Sequence, residues 1–381
     1  MTAPIPITII TGFLGAGKTT VLNALLRDPA FAETAVLINE FGDVQVDHDL
    51  VADFSDELVM TTTGCICCTA SSDIKQSLYQ LWLRKELGEI GSLKRVLVET
   101  TGLMDPAPVV NALLSPPTAN RADQVVSQHF AFSRLLTLFD IVNGTMTLEH
   151  HPEALKQLAL ADAVLLTKTD MSSDPATLRD IELERQRIRR INSSARILDR
   201  HTDWSELNAL LLASGTYDLR TKGEDAVAWL NAEKVLAETE GSHGHENHHH
   251  HGHDHSHHHD HDHVDRTRHG DDIQSHVIML DEPVSPVVFF MFLESLKMSA
   301  GTDLLRIKGL VALSDDPDRP VVVHGVQHIV HPIDKLEQWP TDDKRTKIVL
   351  IGRNLNVDSF REILKASRQE WSNSEATKAT A

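Results

Sequence analysis

The run Gly12-Phe13-Leu14-Gly15-Ala16-Gly17-Lys18-Thr19 has the order G-x-x-x-x-G-K-T, and each of its residue types has a task in holding a chain of phosphates. Gly12, Gly15 and Gly17, with Ala16 between the last two, let the backbone wrap and turn its N–H groups toward phosphate oxygens. Lys18 neutralises the β- and γ-phosphates, the Thr19 hydroxyl can ligate Mg2+, and Thr20 continues the motif into the element that follows. Ile7–Ile10 reads as a strand before the loop and Thr19–Leu26 as a helix after it. That context specifies a nucleoside triphosphate site.

Two further polar clusters close apolar strands. Val98-Glu99-Thr100-Thr101-Gly102 places a carboxylate beside the phosphate loop, where Glu99 can hold the magnesium shell or order the attacking water. Gly102 lets the backbone approach the γ-phosphate. Thr167-Lys168-Thr169-Asp170 offers a carboxylate that accepts from both the N1–H and the exocyclic amine of guanine. Adenine presents the opposite pattern at N1, so the expected nucleotide is GTP. The Lys168 stem can pack over the base, and Thr167 stands where the usual N-K-x-D motif begins with Asn.

The three cysteines of the chain fall together in Gly64-Cys65-Ile66-Cys67-Cys68. Such crowding suits one soft ion held from a turn. Thiolates favour Zn2+ or Cu(I), with cobalt and nickel bound more weakly or in other geometries. Cys65, Cys67 and Cys68 leave a tetrahedral ion one ligand short, which fits a site that hands metal on. The fourth ligand is then a carboxylate, a histidine, water or a partner's side chain. Glu40, in Asn39-Glu40-Phe41-Gly42, is the candidate; its alternative role is to serve magnesium or a switch segment only. The cysteines lie between Glu40 and Glu99, the two places where a phosphate-loop protein senses its γ-phosphate, so hydrolysis could remodel them.

A histidine tract, His243–His263, holds 13 of the 23 histidines. Its runs His248, His249, His250 and His257, His258, His259 can capture zinc weakly through imidazole nitrogens; a merely solvating linker is the plainer alternative. Arg185–Arg190 reads as a solvated helix face rather than a nucleic-acid site, and His324, His328 and His331, on a strand, as structural residues, with metal ligation the alternative.

These groups need a scaffold, and strands alternate with helices. Strands are expected at Ile7–Ile10, Ala35–Ile38, Arg95–Val98, Leu135–Phe139, Ala163–Leu166 and Ala195–Leu198, with helices at Thr19–Leu26, Ser72–Lys85 and Leu178–Ile191. Unbroken apolar strands alternating with helices specify an α/β fold with a mainly parallel sheet covered on both faces. After the acidic, His-rich stretch, patterning resumes in strands at Val277–Leu280, Leu304–Leu313, Val321–Val330 and Lys347–Ile351, with helices at Ser285–Lys297 and Asp358–Trp371. The expected organisation is a nucleotide-binding domain at 1–220, a linker at 221–274, a small α+β domain at 275–371 and a polar tail at 372–381.

Composition narrows the partners. Among 381 residues, 36 Lys+Arg face 55 Asp+Glu for a formal net charge of −19, which argues against nucleic acid and anionic membranes as partners. No apolar run reaches the roughly 18 residues of a membrane span. Met1–Thr11 has no basic region, so no leader is expected. Clustered cysteines speak for a metal or thiol site in a reducing compartment, the cytoplasm, rather than for disulfides.

In this order, GFLGAGKTT, NEFG, GCICC, ETTG and TKTD followed by a His-rich linker resemble the CobW-like P-loop GTPases. Arg306-Ile307-Lys308-Gly309 and the segment His324–Pro332 are similar to that family's C-terminal domain. The resemblance covers roughly 5–220 and 275–370. It implies a metallochaperone, a GTPase that carries zinc at C-x-C-C and delivers it to client metalloenzymes. Cobalt delivery for cobalamin synthesis, and a zinc buffer built on the His tract, are the alternatives. By the same resemblance Lys18 and Thr19 serve phosphate and Mg2+, Asp170 the guanine, and Cys65, Cys67 and Cys68 the metal. The family's E-x-G-x-D after NEFG is here Asp43-Val44-Gln45-Val46-Asp47, which bears on the switch geometry.

Overall fold

The computed structural model describes residues 3–39, 59–63, 70–171, 175–213, 273–301, 303–327, 329–330 and 333–365. Glu40, Cys65, Cys67, Cys68, linker residues 221–272 with their histidine runs, His328, His331 and the polar tail lie outside these residues, whereas Ile273 and Gln274, expected in the linker, open a strand of the C-terminal sheet. Within them, aliphatic runs pair as β1 (Ile5–Gly12), β2 (Thr34–Asn39), β3 (Val59–Thr63), β4 (Arg95–Glu99), β5 (Phe130–Asp140), β6 (Ala163–Thr167) and β7 (Arg196–Asp199). They form one sheet in the order β3-β2-β4-β1-β5-β6-β7, and every pairing is parallel.

The central strands are mainly apolar because both faces are covered. Ile7, Ile9, Ala35, Leu37, Val96 and Val98 pack in one cluster with Ile74 and Leu78 of α2 (Ala70–Glu86) and Val109 of α3 (Ala107–Leu114). The residues between them, Ile10, Val36 and Leu97, point the other way. They meet Leu22 of α1 (Lys18–Leu26) and Leu207 of the final helix of this domain (Trp204–Leu212). This is the period-two alternation of a strand buried on both sides. The remaining helices are α4 (Arg121–His129), α5 (Gly144–His150), α6 (Pro152–Leu160) and α7 (Pro175–Ile191), which makes Trp204–Leu212 α8.

The C-terminal part contains β8 (Ile273–Leu280), α9 (Pro286–Ala300), β9 (Leu304–Leu313), β10 (Asp316–Val326), β11 (Ile329–Val330), β12 (Asp334–Lys335), β13 (Thr346–Arg353) and α10 (Val357–Lys365). Its antiparallel sheet runs β11-β10-β9-β13-β8, with β12 on β10. One face packs on α9 and α10 through Phe289, Phe292, Leu296, Phe360 and Leu364. From the opposite face Leu305, Val349 and Ile351 share a core with Leu155 and Leu158 of α6 and Ile188 of α7. One apolar cluster therefore spans both sheets' neighbourhoods.

Across that cluster Asp162 accepts from Arg306 (2.5 Å) and Lys308 (2.6 Å). Burial opposes its charge, but Arg306 and then Lys308 hold the carboxyl far below the ordinary carboxylate range.

Some element boundaries differ from the sequence expectation. Val321–Val330 is not one strand: Gln327 adopts φ 54, and the chain turns so that Val326 pairs with Ile329. β3 went unread because Val-Met-Thr-Thr-Thr lacks an apolar run. Helices α3 to α6 and α8 also escape the sequence pattern, because a helix of seven to nine residues shows little of the 3.6-residue period.

Candidate nucleotide site

The C-terminal edge of the parallel sheet gathers the ends of β1, β4, β5 and β6. After β1, Gly15 and Gly17 take φ of +75 and +88, and a Cβ at either would meet open space. The glycines are thus required for backbone conformation rather than for room. Lys18 Nζ donates back to the carbonyls of Gly12 (2.9 Å) and Phe13 (3.2 Å), closing the loop on itself. Burial pushes the Lys18 pKa down, while Glu99 acts in the opposite sense. Thr20 follows on an exposed position of α1.

Glu99 ends β4 directly beside Ile10 of β1 and is 6% exposed. Its Oε1 accepts from Thr19 Oγ1 at 2.9 Å. A hydroxyl and a carboxylate in contact at the head of a phosphate loop form the hard oxygen donor set that Mg2+ prefers. Thr100 ties this strand end to β1 by donating from N–H to Ile10 O (3.0 Å) and from its hydroxyl to Thr11 Oγ1 (2.8 Å). Beyond it, Gly102 presses on the phosphate loop so closely that a Cβ would stand 2.5 Å from Leu14 N.

On the opposite side, Thr167 Oγ1 donates to Ala16 O (3.0 Å), with Phe139 O at 3.2 Å. A hydroxyl therefore links the segment Thr167–Asp170 to the phosphate loop, a donor role that threonine fills at the position where asparagine is usual. Lys168 sits at φ 61, and its Nζ lies 2.7 Å from Asp140 Oδ2. Burial opposes the Asp140 charge, yet Lys168, Asn143 and the Val142 N–H hold its pKa below the ordinary value. Asp170 is exposed and stands 2.9 Å from His201 Nε2 on the loop after β7. That loop is fastened by Thr169 Oγ1 donating to Asp199 Oδ1 at 2.9 Å.

The structure thus brings Gly12, Gly15, Ala16, Gly17, Lys18, Thr19, Glu99 and Gly102 around one loop, and sets Thr167, Lys168 and Asp170 on its far side. Sequence reasoning missed Asp140, His201 and Gln157. Asp140 carried a usable signal, since it too is a carboxylate closing an apolar strand. Gln157 gave only a lone polar residue in an apolar helix. A cleft lies against Phe13, Leu14, Asp140 and Gln157. His324, on β10, is buried in the C-terminal part.

The described residues hold no cluster of three His, Cys, Asp or Glu suited to a metal. Among them, no helix is long and apolar enough to cross a membrane. β2 ends at Asn39, immediately before Glu40, and β3 ends at Thr63, just before the cysteine segment, both on the same sheet edge as Glu99.

Residues 6–199 match the CobW/HypB/UreG nucleotide-binding domain, and residues 273–368 match the cobalamin synthesis protein CobW C-terminal domain. The chain is 28% identical over 366 residues to the zinc chaperone YjiA of Escherichia coli, covering 96% of this chain and 99% of that protein. It is 27% identical over 373 residues to the zinc-regulated GTPase metalloprotein activator 1 of Schizosaccharomyces pombe, covering 93% of this chain and 83% of that one. The crystal structure of zinc-bound YjiA GTPase from E. coli superposes with a TM-score of 0.62 at 25% identity, over 96% of this chain and 99% of that chain. The first match takes in the phosphate loop and Glu99 and the second the C-terminal antiparallel sheet, so the chain belongs to the CobW/HypB/UreG family and carries the CobW C-terminal domain.

Proposed function

We propose that this protein is a GTP-hydrolysing zinc chaperone that releases its ion to client metalloproteins as hydrolysis proceeds. The observation that carries the proposal is the shared sheet edge. The Lys18–Thr19–Glu99 cluster stands at the ends of β1 and β4, and the neighbouring strands β2 and β3 end there just before Glu40 and the Cys65–Cys68 segment. A change in the γ-phosphate pocket and a change in the zinc site are then changes in adjacent chain segments. Relatives bearing the names zinc chaperone and zinc-regulated GTPase metalloprotein activator support the cargo and the reaction.

In the hydrolytic half of the cycle, Lys18 leaves its carbonyl partners to neutralise the β- and γ-phosphates, and the loop amides around Gly15 and Gly17 cradle them. Thr19 and Glu99 are the residues that would hold Mg2+, which when bound there supplies neutralisation of the charge developing on the phosphate oxygens. Glu99 also orders the attacking water. Asp170 leaves His201 to accept from the N1–H and amine of guanine, and Lys168, steadied by Asp140, lies along the base.

In the metal half, Cys65, Cys67 and Cys68 hold Zn2+ with Glu40 completing the shell, and the His248–His250 and His257–His259 runs gather ions at low affinity. Thiolates must stay reduced to hold the ion, which supports the cytoplasm as the setting for this work. The test is stoichiometric zinc binding in the presence of a GTP analogue. The native chain should take up one tight ion that Cys67→Ala loses; full tight binding by Cys67→Ala overturns the site.

A further inference from the structure

Helix α6 touches the phosphate site with one part and the C-terminal sheet with another. Gln157, 1% exposed, donates from Nε2 to the carbonyls of Gly102 (3.1 Å) and Met104 (3.0 Å). A primary amide has two N–H groups, and here both are directed at the loop that follows Glu99. Beside it, Lys156 Nζ meets Asp105 Oδ2 at 2.8 Å. The main-chain oxygen of Gln157 in turn accepts from Thr137 Oγ1 of β5 (2.8 Å), so the amide is offered from a fixed base. The same loop bears on the phosphates through Gly102, whose backbone rests against Leu14.

The residues that follow Gln157 are equally tied. Asn192 Nδ2 donates to the carbonyls of Leu158, Ala159 and Ala161. Asp162, next in the chain, accepts from Arg306 and Lys308 of β9. On either side of Gln157 in the sequence, Leu155 and Leu158 pack with Leu305 and Val349 of the C-terminal sheet. The contacts to the loop at 102–105 and those to β9 thus fall on one stretch of chain, residues 155–162, which gives the loop and the C-terminal sheet a shared support.

We propose that Gln157 is a positioning residue for hydrolysis: it holds the loop after Glu99 against the phosphate loop, and α6 makes that placement depend on the seating of the C-terminal sheet. The proposal rests on the reading of Glu99–Gly102 as the face that meets the γ-phosphate. It predicts a separation of effects, because GDP lacks the phosphate that the loop addresses.

The experiment is Gln157→Glu in the full chain, with GTP turnover and GDP affinity measured from about pH 5.5 to 8. Near pH 8 a carboxylate facing two carbonyls cannot donate, so kcat falls by about tenfold or more while GDP affinity stays within about twofold. Toward acid pH the protonated Glu regains one donor, and kcat recovers relative to the native protein. Unchanged kcat, or equal loss of turnover and GDP affinity, overturns the proposal. Should Gln157→Glu fail to fold, hydrogen exchange in the native chain decides. Amides at 304–313 must then exchange differently with a GTP analogue and with GDP, and identical exchange overturns the proposal. Absence of turnover in the native protein overturns the γ-phosphate reading itself, whereas native turnover with an unaffected variant removes Gln157 alone.

Discussion

Replacing Asp162 with Asn removes the negative charge that stands 2.5 Å from Arg306 and 2.6 Å from Lys308. It keeps the shape of the side chain and the bond accepted from the Leu135 N–H. The two cations are 4% and 2% exposed, so water cannot take over from the carboxylate. Removing one member of a buried ion cluster costs about 3–5 kcal/mol, because the charges left behind stay desolvated. Asp162 itself is 16% exposed, which points to the lower end, about 3 kcal/mol. An exposed pair is the control: Lys344 and Asp318, 59% and 78% exposed, should contribute about 0–1 kcal/mol.

Urea unfolding of Asp162→Asn and Lys344→Ala measures both. Adding Arg306→Met and Lys308→Met to Asp162→Asn should restore most of the loss, since an apolar replacement of a whole buried cluster is close to neutral. The pH dependence has a defined sign. The folded Asp162 pKa is depressed, so its stabilisation is complete above about pH 4 and lost only as pH falls through the lowered folded value. The deficit of Asp162→Asn should therefore be constant from about pH 5 to 8 and shrink in strong acid. An Asp162→Asn chain within about 1 kcal/mol of native, or a triple variant weaker than the single one, refutes the reasoning.

Other outcomes follow from the nucleotide site. Gly102→Ala puts a Cβ at 2.5 Å from Leu14 N and 2.8 Å from Leu14 Cα; backbone must move, and kcat for GTP should fall about tenfold with GDP binding retained, so native turnover contradicts the contact. Because burial depresses the Lys18 pKa, affinity for a GTP analogue should fall as pH rises, with a midpoint below the ordinary lysine value of about 10.4. Lys18→Arg should flatten that profile, and a midpoint at or above the ordinary value contradicts the burial argument. Thr167→Val removes the hydroxyl that joins Ala16 O and Phe139 O, which should cost about 1–3 kcal/mol of stability by calorimetry. Asp170→Asn should abolish the preference for GTP over ATP in competition binding, and a retained preference removes Asp170 from base reading.

The nucleotide site was legible because its chemistry is local in the chain. Gly12 to Thr19 is one loop whose backbone needs dictate its residue types, and Glu99 and Asp170 each close an apolar run. The sheet was legible for a related reason: β1, β4 and β6 are apolar on both faces, and few other structures tolerate that. What stayed hidden depends on contacts between distant positions. Gln157 meets a loop 55 residues away in the chain, and Asp162 meets Lys308 across 146. Neither residue differs by type or spacing from an ordinary surface polar group. The strand–turn–strand at Gln327 was hidden because Val321–Val330 is continuously apolar except at short interruptions, and only the left-handed Gln327 shows where the chain reverses.

The central claim is that nucleotide state governs the hold on zinc. Its most direct test is a chelator-competition titration of Zn2+ on the chain lacking residues 241–263, with Mg2+ and either a GTP analogue or GDP. The account predicts one tight site per chain that weakens by about tenfold or more with GDP, a coupling of about 1.4 kcal/mol. Equal zinc affinity in the two nucleotide states would contradict it.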